Sequence, residues 1–261
     1  MAAIAVFGGG GRAVTAEARR RGHGVTAVVR EPARYPELGA DGVAVVRGDV
    51  TDAGSVAAVA VGHVAAVHAV SPFSGPERGF DSLDPEFFVK AADALLSGLA
   101  AAGVGRLVAV GLFADLLGAD GRPVMDDPAV FPPDIRPFAL AHTAGLRRLR
   151  ESEEGGVDRV VLTPGGGLEE NAPRTGHHAF GGEEAPDGMR VLSYAGLAGA
   201  VVDEIARPTV QSAAGVGARR KVAEKERKDE EDRQERQDWE RQKDGAVVHG
   251  PPPGMNSTCL A

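Results

Sequence analysis

The 261-residue chain has one cysteine, Cys259, and Lys90 is its only lysine ahead of Lys221. A single cysteine cannot close an internal disulfide, so cysteine usage gives no sign of an oxidising compartment. An excess of basic charge is missing as well: 29 Lys and Arg stand against 37 Asp and Glu, a formal net charge of −8. A binder of the phosphate backbone needs a basic face, so nucleic acid is not an expected partner. The N-terminus lacks a basic region followed by a long apolar stretch, which argues against a secretory signal and a membrane partner. The expected setting is cytoplasmic.

Other chemistries are missing their residues. His177, His178, Glu183 and Glu184 stand together in a glycine-rich stretch without the ligand spacing of a common zinc site, so no metal is expected. Ser71 and Ser193 have no evident His and Asp partners, and "TPGGG" lacks the serine of a nucleophile elbow, which speaks against hydrolysis.

What is present is a 43% hydrophobic composition and a regular alternation of β-rich runs with helical stretches. "AAIAVF", "GVTAVVR", "GVAVVRGD", "VAAVHAV", "GRLVAVG" and "VDRVVLTP" read as six strands, and "MRVLS" as a last short one. Helical patterns stand between them, the sign of right-handed crossovers and a parallel sheet. Continuous apolar strands imply burial on both faces, hence an α/β, doubly wound architecture. Asp84 is the expected N-cap of a helix with Pro85 in its first turn, and Ser193 that of "YAGLAGAVVDEIA". Residues 112–136, rich in Asp, Gly and Pro, read as a long loop that covers a site or is disordered.

The globular pattern stops at Arg207-Pro208, giving an expected domain of residues 1–208 and a charged tail of 209–261. In the tail Glu224/Lys228, Lys225/Asp229, Arg227/Glu231 and Asp232/Arg236 fall at helical spacing. Such pairs contribute about 0.2–0.5 kcal/mol each, so the tail is expected to be a solvated or fluctuating helix, or disordered.

The turn after the first strand carries four consecutive glycines. Gly8, Gly10 and Ala13 satisfy G-x-G-x-x-A, and Gly8 with Gly11 begins G-x-x-G-x-x-G. A glycine turn between strand and helix lets backbone N–H groups approach a pyrophosphate, whose charge the helix N-terminus favours. At the end of strand two, where an acidic residue would bind the ribose 2′-hydroxyl of NAD, the chain has Arg30. A guanidinium suits a 2′-phosphate, so NADP(H) is preferred, with NAD(H) still possible.

In this order "VFGGGGR", "RGHGVTAVVREPAR", "VVRGDVTD", "LVAVG", "VVLTPGG", "RTG" and "LSYAGLAGAVVDEIARP" resemble the atypical short-chain dehydrogenase/reductase group of NAD(P)H-binding proteins. Within it the likeness is to proteins named NADH-flavin reductases, related to the biliverdin reductase B-like and NmrA-like branches. The resemblance covers Met1 to Pro208. It implies a Rossmann-type sheet with cofactor phosphates at Gly8 to Arg12 and adenine near Asp49 and Val50. The nicotinamide is implied near Ala69 to Ser71 and Gly111, with Thr163 and Pro164 after strand six. Substrate is implied between Phe73, Phe113 and the loop after Pro164.

Two departures matter. Many short-chain dehydrogenases use a Tyr-x-x-x-Lys pair to exchange a proton with a carbonyl. Here neither Tyr35 nor Tyr194 is followed by Lys at that spacing, and the corresponding helix carries Phe138 and His142. Hydride transfer to a flavin or quinone is therefore expected rather than alcohol/ketone chemistry, with His142 as the candidate catalytic group. The alternatives are a non-catalytic NAD(P)-sensing regulator, as in the NmrA-like branch, or a member whose cofactor binding has weakened. Second, relatives have about three more residues between the first glycine and "RGH". Their loss rotates the helix by about 60° relative to the sheet and leaves Ala13 as the candidate for the missing glycine's close-packing role, with Val14 as a source of crowding.

Overall fold

The computed structural model describes residues 1–72, 83–152, 156–173, 178–186, 190–209 and 212–218. The strands β1 (Ala3–Phe7), β2 (Gly24–Val29), β3 (Ala44–Arg47), β4 (Ala65–His68), β5 (Arg106–Val110) and β6 (Asp158–Pro164) run parallel in the spatial order β3-β2-β1-β4-β5-β6. The residues of the central strands β1, β4 and β5 are almost all buried, because helices cover both faces, whereas the edge strand β3 has none fully buried. On one face α1 (Arg12–Arg20) and α5 (Tyr194–Ala206) pack against Ile4, Val6, Val108 and Leu162. On the other, α2 (Ala53–Ala60), α3 (Phe87–Ala101) and α4 (Arg136–Glu151) enclose Phe7, Leu95, Leu99 and Leu107. This is the doubly wound Rossmann-type sheet expected from the alternation.

Strand order reverses at β1, which pairs with β2 on one side and with β4 on the other. The crossovers therefore leave in opposite directions there, and the C-terminal end of β1 opens into a crevice. The glycines occupy that end.

Beyond β6 the reading from sequence needs correction. A two-stranded parallel ribbon, β7 (Gly166–Glu169) with β9 (Arg190–Ser193), stands apart from the main sheet. The expected last strand "MRVLS" is thus the partner of β7. The main sheet continues past Pro208 into β10 (Ser212–Ala218), parallel to β6, which pairs antiparallel with β8 (His178–Gly181). The compact unit ends at Ala218, ten residues beyond the boundary drawn at Pro208, and residues 219–261 lie outside the described residues. A buried ion pair supports this end of the sheet. Arg106 donates to Glu204 at 2.7 Å and also meets Asp158, while Thr209 donates to Glu204 from its backbone and its hydroxyl.

Of three further expectations, one holds and two shift in detail. Ser193 caps α5, its hydroxyl accepting from the Gly196 N–H at 3.0 Å. Asp84, however, stands three residues ahead of the first residue of α3: its carboxylate accepts from the Glu86 N–H and its carbonyl from the Phe87 N–H, folding a turn before the helix. Residues 112–136 are a packed excursion rather than an open loop. Three short 3-10 turns bring Ala114, Val124, Met125 and Phe131 against Ala139 of α4.

Candidate functional site

Each glycine of the turn has its own steric reason. Gly8 adopts φ +102°, a region that disfavours side chains, and a Cβ there would lie 2.5 Å from the Ala69 carbonyl oxygen. A Cβ at Gly10 would lie 2.8 Å from the same oxygen, and one at Gly11 would collide with the Val6 side chain. Gly9 lies against the Tyr35 ring. The turn is therefore pressed onto the ends of β1 and β4, and α1 begins at Arg12 directly after it.

The tight helix-to-strand contact is made by Gly11 against Val6, not by Ala13 as expected. Ala13 and Val14 both pack against the core and both line a cavity beside the turn. The helix starts at Arg12, and the smallest residue falls where the approach is closest.

Two cavities flank the turn. The first, about 340 Å³, lies over β1 and β2 and is lined by Gly8, Gly9, Arg30, Arg34, Tyr35 and Val50 among others. The second, about 180 Å³, lies over β4 and β5 and is lined by Gly10, Ala13, Ala69, Gly111, Leu112, Phe138, His142, Leu168, Tyr194 and Leu197. Val70 and Ser71 line both, so the cavities adjoin across the glycine turn.

The predicted residues divide accordingly. Gly8, Arg30 and Val50 border the first cavity, Gly10, Ala13, Ala69, Gly111 and His142 the second, and Ser71 both; Gly11 lies beneath the turn. Arg12 stands exposed at the start of α1, within 3.5 Å of Glu170 and 4.0 Å of Glu37. Asp49 shapes the turn beside Val50, its carboxylate accepting from the Thr51 N–H and hydroxyl. The Thr51 N–H above all, and the Arg30 charge to a lesser degree, hold that carboxyl below the usual carboxylate range.

Three expectations fare differently. Thr163 and Pro164 are buried in β6 and line neither cavity; Thr163 packs against Gly111, where a Cβ would collide with it. Phe113 lines a separate cavity of about 470 Å³ with Pro123, Val124 and Val130, while its neighbour Leu112 faces the apolar one. Phe73 lies outside the described residues.

His142 is 8% exposed, its ring 4.7 Å from Phe88 and 6.0 Å from Phe138 between centroids. His68, at the end of β4, stands edge-on to Phe88 at 6.4 Å between centroids. Burial pushes the His142 imidazole down to about 3, helped by the neighbouring His68, and burial alone pushes His68 down to about 4. Both are neutral near pH 7, and the Nδ1 of each has no hydrogen-bond partner among the described residues. Neutral His142 offers a hydrogen bond rather than an ionic proton.

Several lining residues escaped the sequence reading. Arg34 had a signal, since it stands four residues after Arg30 in "VVREPAR". Tyr35, Leu168 and Tyr194 had none, because only tertiary packing brings them to the crevice.

A glycine turn at the switch point of a doubly wound parallel sheet, with a cavity on each side, defines a Rossmann-type dinucleotide-binding class of protein. The model of the NAD(P)H-binding family matches residues 7–208, and the chain belongs to that family. It is 29% identical over 217 residues to the uncharacterised protein YwnB of Bacillus subtilis (strain 168), covering 78% of this chain and 92% of that one. A crystal structure of a protein provisionally named as exported, from Burkholderia pseudomallei, superposes with a TM-score of 0.68 at 31% identity, covering 84% of this chain and all of that one. A protein of Streptococcus pneumoniae provisionally named an NADH-flavin reductase shares the fold at 21% identity and a TM-score of 0.67, with coverage of 84% and 100%.

Proposed function

We propose that the chain is an NAD(P)H-dependent reductase that favours NADP(H) and delivers hydride to a flavin, quinone or similarly conjugated small-molecule acceptor. The observation that carries this reading is the pair of cavities adjoining at the glycine turn. One is polar-rimmed with two arginines, the other apolar and walled by Phe138 and Tyr194. Cβ atoms at Gly8 and Gly10 would strike the backbone just after β4, so glycine keeps the turn close to the strand ends and directly ahead of the α1 N-terminus, where a pyrophosphate would be held.

Gly8 to Arg12 would hold the cofactor phosphates at the N-terminus of α1. Arg30 would hold the 2′-phosphate with Arg34 beside it, the latter already paired with Glu31 at 2.7 Å. Val50 and the Asp49 turn would border the adenine, and Ala69 to Ser71 with Gly111 the nicotinamide. When bound, the reduced nicotinamide supplies the hydride. The chain's part is to align two flat rings and exclude water, which Ala13, Leu112, Leu168 and Leu197 do with apolar surface. Neutral His142 fixes an orientation through its N–H.

The test is oxidation of NADPH by purified protein with FMN, FAD or a soluble quinone as acceptor. Turnover with at least one is expected. Tight NADPH binding with no turnover of any would favour the sensing role instead.

A further inference from the structure

We infer that Tyr194, at the start of α5, supplies the hydroxyl that faces the oxygen of a conjugated carbonyl acceptor and gives it its proton. The inference rests on the reading of the apolar cavity as the place of reduction. Of the described residues lining that cavity, Ser71, His142 and Tyr194 alone carry polar side chains. His142 is neutral and buried, so it holds no ionic proton to release. A serine alcohol gives up its proton far less readily than a phenol does. Tyr194 is 38% exposed while lining the cavity, so the residue borders both the apolar interior and water.

Its position is well fixed. Leu168 pairs with Leu192 in the β7–β9 ribbon, Ser193 follows as the cap of α5, and Tyr194 begins the helix next to Leu197 on the same wall. The chain thus carries on α5 the hydroxyl that Tyr-x-x-x-Lys enzymes carry on another helix, here occupied by Phe138 and His142. In the reaction the acceptor gains a hydride, with its electron pair, from the reduced nicotinamide. The Tyr194 O–H bond breaks as an O–H bond forms on the acceptor oxygen, and the phenolate recovers its proton from water at its exposed edge.

The test compares wild type with Tyr194→Phe, which keeps the ring. Protein saturated with NADP⁺, which has no hydride to give, is titrated with acetophenone and with ethylbenzene, a pair of similar shape with and without the carbonyl. Wild type is expected to prefer the ketone by about fivefold to tenfold, as one hydrogen bond provides. Tyr194→Phe should bind both alike, with an unchanged Kd for ethylbenzene and for NADPH. Its kcat with a soluble quinone should fall by about 10²-fold. A ketone preference retained in Tyr194→Phe overturns the inference, and so does an unchanged kcat. Failure of wild type to bind NADPH overturns the underlying reading of function instead.

Discussion

His68 and His142 are two imidazoles confined with Phe88 in a space that admits no charge. In the unfolded chain each takes up its proton near pH 6.5, but in the folded chain only near pH 4 and pH 3. The unfolded state therefore binds more protons below about pH 6.5. Stability is full above that value and declines as pH falls toward 4, by up to about 1.4 kcal/mol per pH unit for each histidine. His142→Phe removes one of the two groups while keeping the aromatic contact. Urea midpoints at pH 7.5 and pH 5 should differ less in the variant than in wild type, and equal differences would show that His142 is not held neutral.

At the scale of elements, the glycine turn and α1 act as one unit, because Gly11 sets how closely the helix approaches β1. Gly11→Ala would push a methyl group into Val6, an overpacking that costs typically 1–3 kcal/mol. Ala13→Gly should lose only the helix-propensity difference of about 1 kcal/mol. Thermal denaturation of the two variants orders them, and a larger loss at Ala13 would return the close-packing role to that residue. This division could not be read from the sequence, where Gly11 and Ala13 fit overlapping motifs equally well. What decides between them is the distance to Val6, a tertiary quantity. The strands and helices up to β6 were legible because each carries its own periodicity and most have turn residues at their ends. "SAAGVGA" carries almost none, and β10 exists through its pairing with β6 and β8. Leu112 and Phe113 show the same limit: both are apolar neighbours, and only the backbone direction after β5 decides which one faces the crevice.

For the whole molecule, the consequence is where the domain ends. Truncation after Pro208 would remove β10 and the two Thr209 hydrogen bonds to Glu204, leaving the edges of β6 and β8 unpaired. Truncation after Ala218 removes only a segment poor in apolar residues, which has little surface to bury. Melting temperatures should fall by several degrees in the first case and by much less in the second. Equal losses would place the boundary elsewhere. The architecture thus extends the sheet beyond β6 with β10 and β8 and keeps the crevice at the interior strand β1.

The claim on which the rest depends is that the crevice at β1 binds a dinucleotide with its 2′-phosphate on Arg30. It is tested by titrating wild type and Arg30→Glu with NADPH and with NADH while following nicotinamide fluorescence. Wild type should bind NADPH more tightly than NADH, and the variant should lose NADPH affinity by tenfold or more, as loss of a charge-assisted pair entails, with a smaller loss for NADH. No response of wild type to either nucleotide at millimolar concentration, or equal losses for both, would contradict it.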